Sequence, residues 1–204
     1  MVIIQLYCEG LSPILINRMT EEQLEALRTG TRLPRVRDIT REQEAAEKVY
    51  TNGNGIYGLP GENFYSCLIN AGRFFKLEGK TQISTQKSTL LPAFLTLREY
   101  FLEFDNGAKW VVDVRKGRNE KGEALCLVRP KFTTWGFWAT LEIDESQIRE
   151  EMVRSLVATA GSRIGLGDFR PAKKGPFGRF VVKEWRRVEK EELTDAEEMK
   201  RKRL

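Results

Sequence analysis

The chain has 204 residues, 41% of them hydrophobic and 31% charged, a net charge of +5 and no histidine. Such a chain buries one good core, and it lacks the run of about 18 apolar residues that a membrane span needs. The absence of histidine excludes Ser-His-Asp and Cys-His nucleophilic catalysis, histidine acid–base chemistry and histidine metal sites, so an enzyme here must use carboxylates, Lys, Tyr or carboxylate-bound Mg²⁺.

Val2 to Cys8 is apolar and β-rich and predicts a first strand, continued in extended form by Ser12 to Asn17. Thr20 followed by Gln23, and Thr40 followed by Gln43, are capping boxes that open short helices to about Leu27 and about Tyr50, with a basic loop between. The start of the chain lacks the basic segment of a secretory signal. Pro60 opens a stronger helix whose Phe64, Leu68, Ala71 and Phe75 share one face. The stretch Lys76 to Ser88 is polar and rich in Gly, Lys, Gln and Thr, and its composition leaves open whether it is an ordered or a mobile excursion. Strands are expected at Arg98–Phe104, Trp110–Arg115, Ala124–Val128 and Thr134–Ile143, separated by Asn-Gly and Lys-Gly turn signals. Asp144 or Ser146 caps a second strong helix with a stripe of Ile148, Met152, Val153, Leu156, Val157 and Ala160, ended by Gly161. Arg179 to Trp185 predicts a last strand, and 188–204 reads as a charged fraying helix or disordered tail.

The strong elements follow the order strand, helix, strands, helix, strand. That order predicts an α+β, ferredoxin-like or RRM-like βαββαβ core with an antiparallel sheet. The central strands are Ala124–Val128 and Thr134–Ile143. A single domain over 1–187 then carries two insertions, about 11–59 and 77–122. Cys8, Cys67 and Cys126 each sit among apolar residues and read as reduced core thiols of a cytoplasmic protein.

Gly161 to Phe180 holds five glycines, two prolines and three phenylalanines. From Gly161 to Arg187 there are eight basic residues against two acids, the electrostatic footprint of a nucleic-acid binder. Glycine permits close backbone approach, arginine matches phosphate, and phenylalanine offers a face to a base. Gly165, Gly167, Gly175 and Gly178 supply the loop backbone; Arg163, Arg170, Lys173, Lys174 and Arg179 supply charge. The spacing is neither a Walker loop nor a dinucleotide fingerprint, so no nucleotide cofactor and no metal is expected. Asp168 is read as the partner that holds one of the loop arginines.

Further candidates lie outside the loop. Asn17 and Arg18 end the first extended segment, and Asn70 and Arg73 share one face of the Pro60 helix. Lys131 belongs to a basic–aromatic cluster running to Trp135. In the following strand Trp135 and Phe137 share one face and Trp138 the other, so one face packs on helices and the other can present aromatics to bases.

Gly10 to Met19, Gly58 to Ala71 and Gly161 to Phe180 resemble, in order, three segments of the RAMP proteins, the RRM-like subunits of CRISPR effector complexes. These are the segment after their first strand, the entry to their first helix, and their glycine-rich loop with the last strand. The likeness is to backbone subunits and to uncharacterised relatives in phages and mobile elements. It implies guide-backbone contacts at Asn17, Arg18, Asn70, Arg73, Arg170 and Arg179; the histidine of the guide-processing branch is absent.

The resulting expectation is a non-catalytic subunit that binds single-stranded nucleic acid, RNA ahead of DNA, and oligomerises head-to-tail along it. Partners are that strand, further copies and other effector subunits, with no membrane. The alternatives are a phage-type ssDNA-binding or annealing protein, a Mg²⁺-dependent nuclease using Asp168 or Asp113, and a purely structural assembly protein.

Overall fold

The computed structural model describes residues 1–33, 38–105, 107–118 and 122–189. The element order is β1 (Val2–Gly10), β2 (Ile14–Leu15), α1 (Glu21–Thr29), α2 (Arg41–Glu47), β3 (Gly58–Pro60), α3 (Gly61–Ala71), β4 (Lys76–Leu77), β5 (Thr81–Gln82), β6 (Leu95–Leu97), β7 (Phe101–Glu103), β8 (Trp110–Arg118), β9 (Ala124–Phe132), β10 (Gly136–Ile143), α4 (Glu150–Thr159) and β11 (Phe180–Val188). Both capping boxes form: Thr20 and Thr40 accept from the amides of Gln23 and Gln43, whose side chains accept from the cap amides in return.

The core sheet has the order β11-β1-β10-β6, antiparallel throughout. With α3 between β1 and β6 and α4 between β10 and β11, this is the double split βαβ of an RRM-like α+β domain. Strand β1 alternates as a half-buried strand should. Ile4, Leu6 and Cys8 are fully buried, while Gln5, Tyr7 and Glu9 lie on the other face. Phe64 of α3 packs edge-on against Phe137 of β10 at 5.3 Å and beside Phe180 of β11 at 6.0 Å, so the helices cover the Ile4–Leu6–Cys8 face.

A three-stranded sheet, β2-β9-β8, stands beside the core sheet. It is built on the long β8–β9 hairpin, and Lys48 at the end of α2 donates to the Val128 carbonyl at 2.7 Å. Strands β3 and β7 form a separate pair.

Several sequence expectations are corrected. The second place in the core sheet goes to Leu95–Leu97, not to Ala124–Val128, which belongs to the second sheet. The short β6 carries too few residues to signal a strand alone and exists because β10 pairs with it. Within Lys76–Ser88, β4 and β5 pair as a short hairpin, and Ile83 and Ser84, which follow it, are fully buried. The N-cap of α4 is Arg149, not Asp144 or Ser146; Asp144 instead accepts from the amide and hydroxyl of Ser146 in the preceding turn. Gly161 does not end that helix. A π-turn carries it through Ala160–Ile164, and Gly165, at φ 73°, stops it. The tail from residue 190 lies outside the described residues.

Cys8 and Cys67 are buried as expected, but Cys126 is exposed on β9. Burial pushes the Cys67 thiol up to about 12, and burial beside Cys67 raises Cys8 as well. At about pH 8 a thiol reagent should therefore label Cys126 alone in the native protein, and all three cysteines after unfolding. Native labelling of more than one would contradict this packing. No helix among the described residues is long and apolar enough to cross a membrane.

Candidate nucleic-acid interface

The glycine-rich loop runs from the π-turn to β11 and is woven by its own backbone into the β1–β2 connection. Asp168 N donates to Leu15 O at 2.7 Å, Gly178 N to Pro13 O at 2.9 Å, and Leu11 N to Arg179 O at 2.7 Å. Within the loop, Leu166 N donates to Gly178 O at 2.9 Å and Gly175 N to Arg170 O at 3.0 Å. Gly165 and Gly178 sit at φ +73° and +70°, and a Cβ on Gly178 overlaps the Leu166 carbonyl. Cys67 of α3 closes the base of the loop, its thiol donating to Gly165 O at 3.3 Å.

This weaving changes the role of the glycines. The amides of Gly165, Gly175 and Gly178 are spent on Ala160, Arg170 and Pro13 carbonyls. Of the four loop glycines, only Gly167, which lines the site, has no such bond from its amide among the described residues. The loop is a rigid wall rather than a nest of free amides.

Between that wall, α3 and the end of β2 lies a groove of about 240 Å³. Asn63, Ser66 and Asn70 project into it from one stripe of α3. Asn17 and Tyr50 contribute from the opposite side, and Gly165, Gly167, Asp168 and Arg170 from the loop. Asn70 donates to Ser66 O at 2.8 Å, which fixes its amide along the helix. Arg170 donates to Gly167 O at 2.8 Å.

Asp168 does not hold a loop arginine. Its carboxylate accepts from Arg129 of β9 at 2.7 Å, and the same guanidinium reaches Asp113 of β8 at 3.4 Å. Arg129 is almost fully buried, and Arg115 forks onto Asp113 at 2.9 Å while lying 4.7 Å over the Phe177 ring. The loop is therefore pinned to the β8–β9 hairpin by ion pairs. Nothing local in the sequence announces Arg129: it lies 39 residues from Asp168.

Five of the predicted residues line the groove together: Asn17, Asn70, Gly165, Gly167 and Arg170. Gly175 and Gly178 support the wall from behind. Arg163 lies over the exposed Phe74 ring at 5.2 Å, past the Asn70 end of α3, where Arg73 is also exposed. Lys173 and Lys174 are exposed on the loop's outer turn, and Arg179 on the strand side. Arg18 does not line the groove; it donates to Val49 O at 3.5 Å and lies 6.0 Å over the ring of Tyr50, which does. Lys131 is half-buried on β9 next to Leu15. Sequence reading missed Tyr50, Asn63 and Ser66; the helical spacing of Asn63 to Asn70 was the available signal.

The aromatic strand divides as its alternation requires. Trp135 and Phe137 are core, while Trp138 is exposed on the open face, 5.2 Å from Tyr7 and under Arg186 at 5.6 Å. Glu9, Glu184 and Asp105, which accepts from Tyr7, share that face with Lys183, which pairs with Glu9, and Arg186.

The fold and the groove define an RRM-like α+β domain whose glycine-rich loop, between its second core helix and last strand, walls a polar cleft. No family model matches the sequence, and no curated protein matches it. Among solved structures, the chain is similar to one in the cryo-EM structure of the Type III-B Cmr-beta bound to cognate target RNA, with a TM-score of 0.52 and 12% identity over 92% of this chain. It spans 61% of that chain's length, and at this identity the likeness is one of fold.

Proposed function

We propose that the chain is a non-catalytic, RAMP-type subunit that binds the backbone of single-stranded RNA within a CRISPR-like assembly, in head-to-tail copies. One observation carries the reading. The three segments that resemble RAMP motifs, distant in sequence, meet at one groove through Asn17, Asn70 and the Gly165–Arg170 wall. The fold likeness to a chain of an RNA-bound assembly supports it. The strand's phosphates run outside the groove, over the loop surface where Arg163, Lys173, Lys174 and Arg179 are exposed, with Arg170 at the groove itself. Asp113 and Asp168, the acids a nuclease would use, are both engaged by Arg129, which favours binding over metal-dependent cleavage.

Charge reversal at Arg170, Lys173 and Arg179 should lower affinity for a labelled single-stranded RNA by about tenfold or more and flatten its salt dependence, with the melting temperature little changed. Anisotropy titrations at several salt concentrations measure both. Unaltered affinity and salt slope would remove the loop from the interface. Tighter binding of DNA than of RNA in competition would favour the ssDNA-binding reading.

A further inference from the structure

The loop surface outside the groove suits phosphate; the groove's interior does not. Among the described residues Arg170 is the one cation lining it, and one of its nitrogens is already given to Gly167 O. Asp168 lines it too, with a third of its side chain exposed; its carboxylate already accepts from Arg129 and from Phe169 N, and a phosphate placed there meets that carboxylate. The remaining polar lining is amide and hydroxyl. The carboxamides of Asn17 and Asn63 have no hydrogen-bond partner among the described residues, and Asn70 uses only its donor side. The Tyr50 ring forms part of one wall.

Carboxamides present a donor and an acceptor side by side, which is the pattern that matches base edges, and a carboxylate accepts from base N–H groups. An aromatic wall gives a base a face to rest on. At about 240 Å³ the cleft is smaller than the roughly 300–1,000 Å³ of drug-sized sites. Single-stranded RNA offers such a ligand, because unstacked bases splay away from the backbone.

We infer that the groove is a pocket for one nucleobase, splayed inward from a strand whose phosphates stay outside it. This rests on the single-strand-binding reading and adds base readout to it: the chain binds with a preference at one position. Asn17 and Asn63 read the base edge, and Tyr50 supports its face.

The test compares homopolymeric RNAs of U, A and C with an abasic ribose-phosphate oligomer of the same length, by anisotropy. The wild-type chain should bind at least one homopolymer about tenfold more tightly than the abasic strand. In Asn17→Ala/Asn63→Ala, and separately in Tyr50→Leu, that ratio should fall towards one. Equal wild-type affinity for abasic and base-bearing strands would overturn the pocket while leaving backbone binding in place. So would a ratio untouched by both sets of variants. Failure of the wild-type chain to bind any of these strands would instead remove the single-strand reading, and the pocket with it.

Discussion

Gly178→Ala is expected to cost about 3 kcal/mol of stability and to collapse the groove with it. Gly178 sits at φ +70°, where an L side chain pays about 1 kcal/mol. The new Cβ overlaps the carbonyl of Leu166, whose own amide donates to Gly178 O at 2.9 Å, so the loop cannot relieve the clash without breaking that bond. Forced overpacking of this kind adds about 1–3 kcal/mol. Urea denaturation midpoints at constant slope measure the loss. Gly53→Ala is the control: nothing lies within 4 Å of its Cβ position and its φ is not left-handed, so it should be neutral or slightly stabilising. Equal midpoints for the two variants would refute this account of the loop.

Asp168→Ala should destabilise by about 3 kcal/mol, because it strips the nearer carboxylate from a buried cation. The Arg129 side chain is 3% exposed, its Nε has no partner among the described residues, and Asp113 lies at the longer distance of 3.4 Å. The penalty is chiefly that of a stranded charge, which gives a sharper expectation for the double variant. Arg129→Met with Asp168→Asn replaces the pair by groups of similar size and should be less destabilised than Asp168→Ala alone. Asp113 keeps Arg115 in that double variant. If the double variant were the weaker protein in urea, the ion pair would be a net source of stability and the argument would fail.

Much of the fold was legible in the sequence because its signals are local. Thr20 with Gln23 and Thr40 with Gln43 announce helix starts within a single turn, and both caps form. The apolar spacing of Phe64, Leu68 and Ala71 marks a buried face, and all three are fully buried. The element order was enough for the RRM-like class. The three segments that line the groove were marked by composition, but their meeting was not: Asn17, Asn70 and Arg170 come from separate elements.

The misread features have one cause in common. Leu95–Leu97 is a core strand because β10 offers it an edge, whereas Ala124–Phe132 has the stronger strand pattern and pairs elsewhere. Gly161 looked like a helix stop. It is needed for the close approach of Phe180, where a Cβ overlaps that residue's carbonyl, and the helix continues past it. Asp168 was expected to hold one of the loop arginines and is instead held by Arg129 from the second sheet.

The sequence by itself determined the two capping boxes at Thr20 and Thr40, the amphipathic faces, the split βαβ order and the concentration of glycine and positive charge before the last strand, since each depends on interactions within a few residues. Only the tertiary structure decided which strand completes the core sheet and which arginine holds Asp168. It also decided that the amides of Gly165, Gly175 and Gly178 are spent on backbone carbonyls, leaving a cleft lined by the carboxamides of Asn17, Asn63 and Asn70. Those outcomes depend on which distant groups burial forces together, because a buried polar group must find a partner wherever the packed chain provides one.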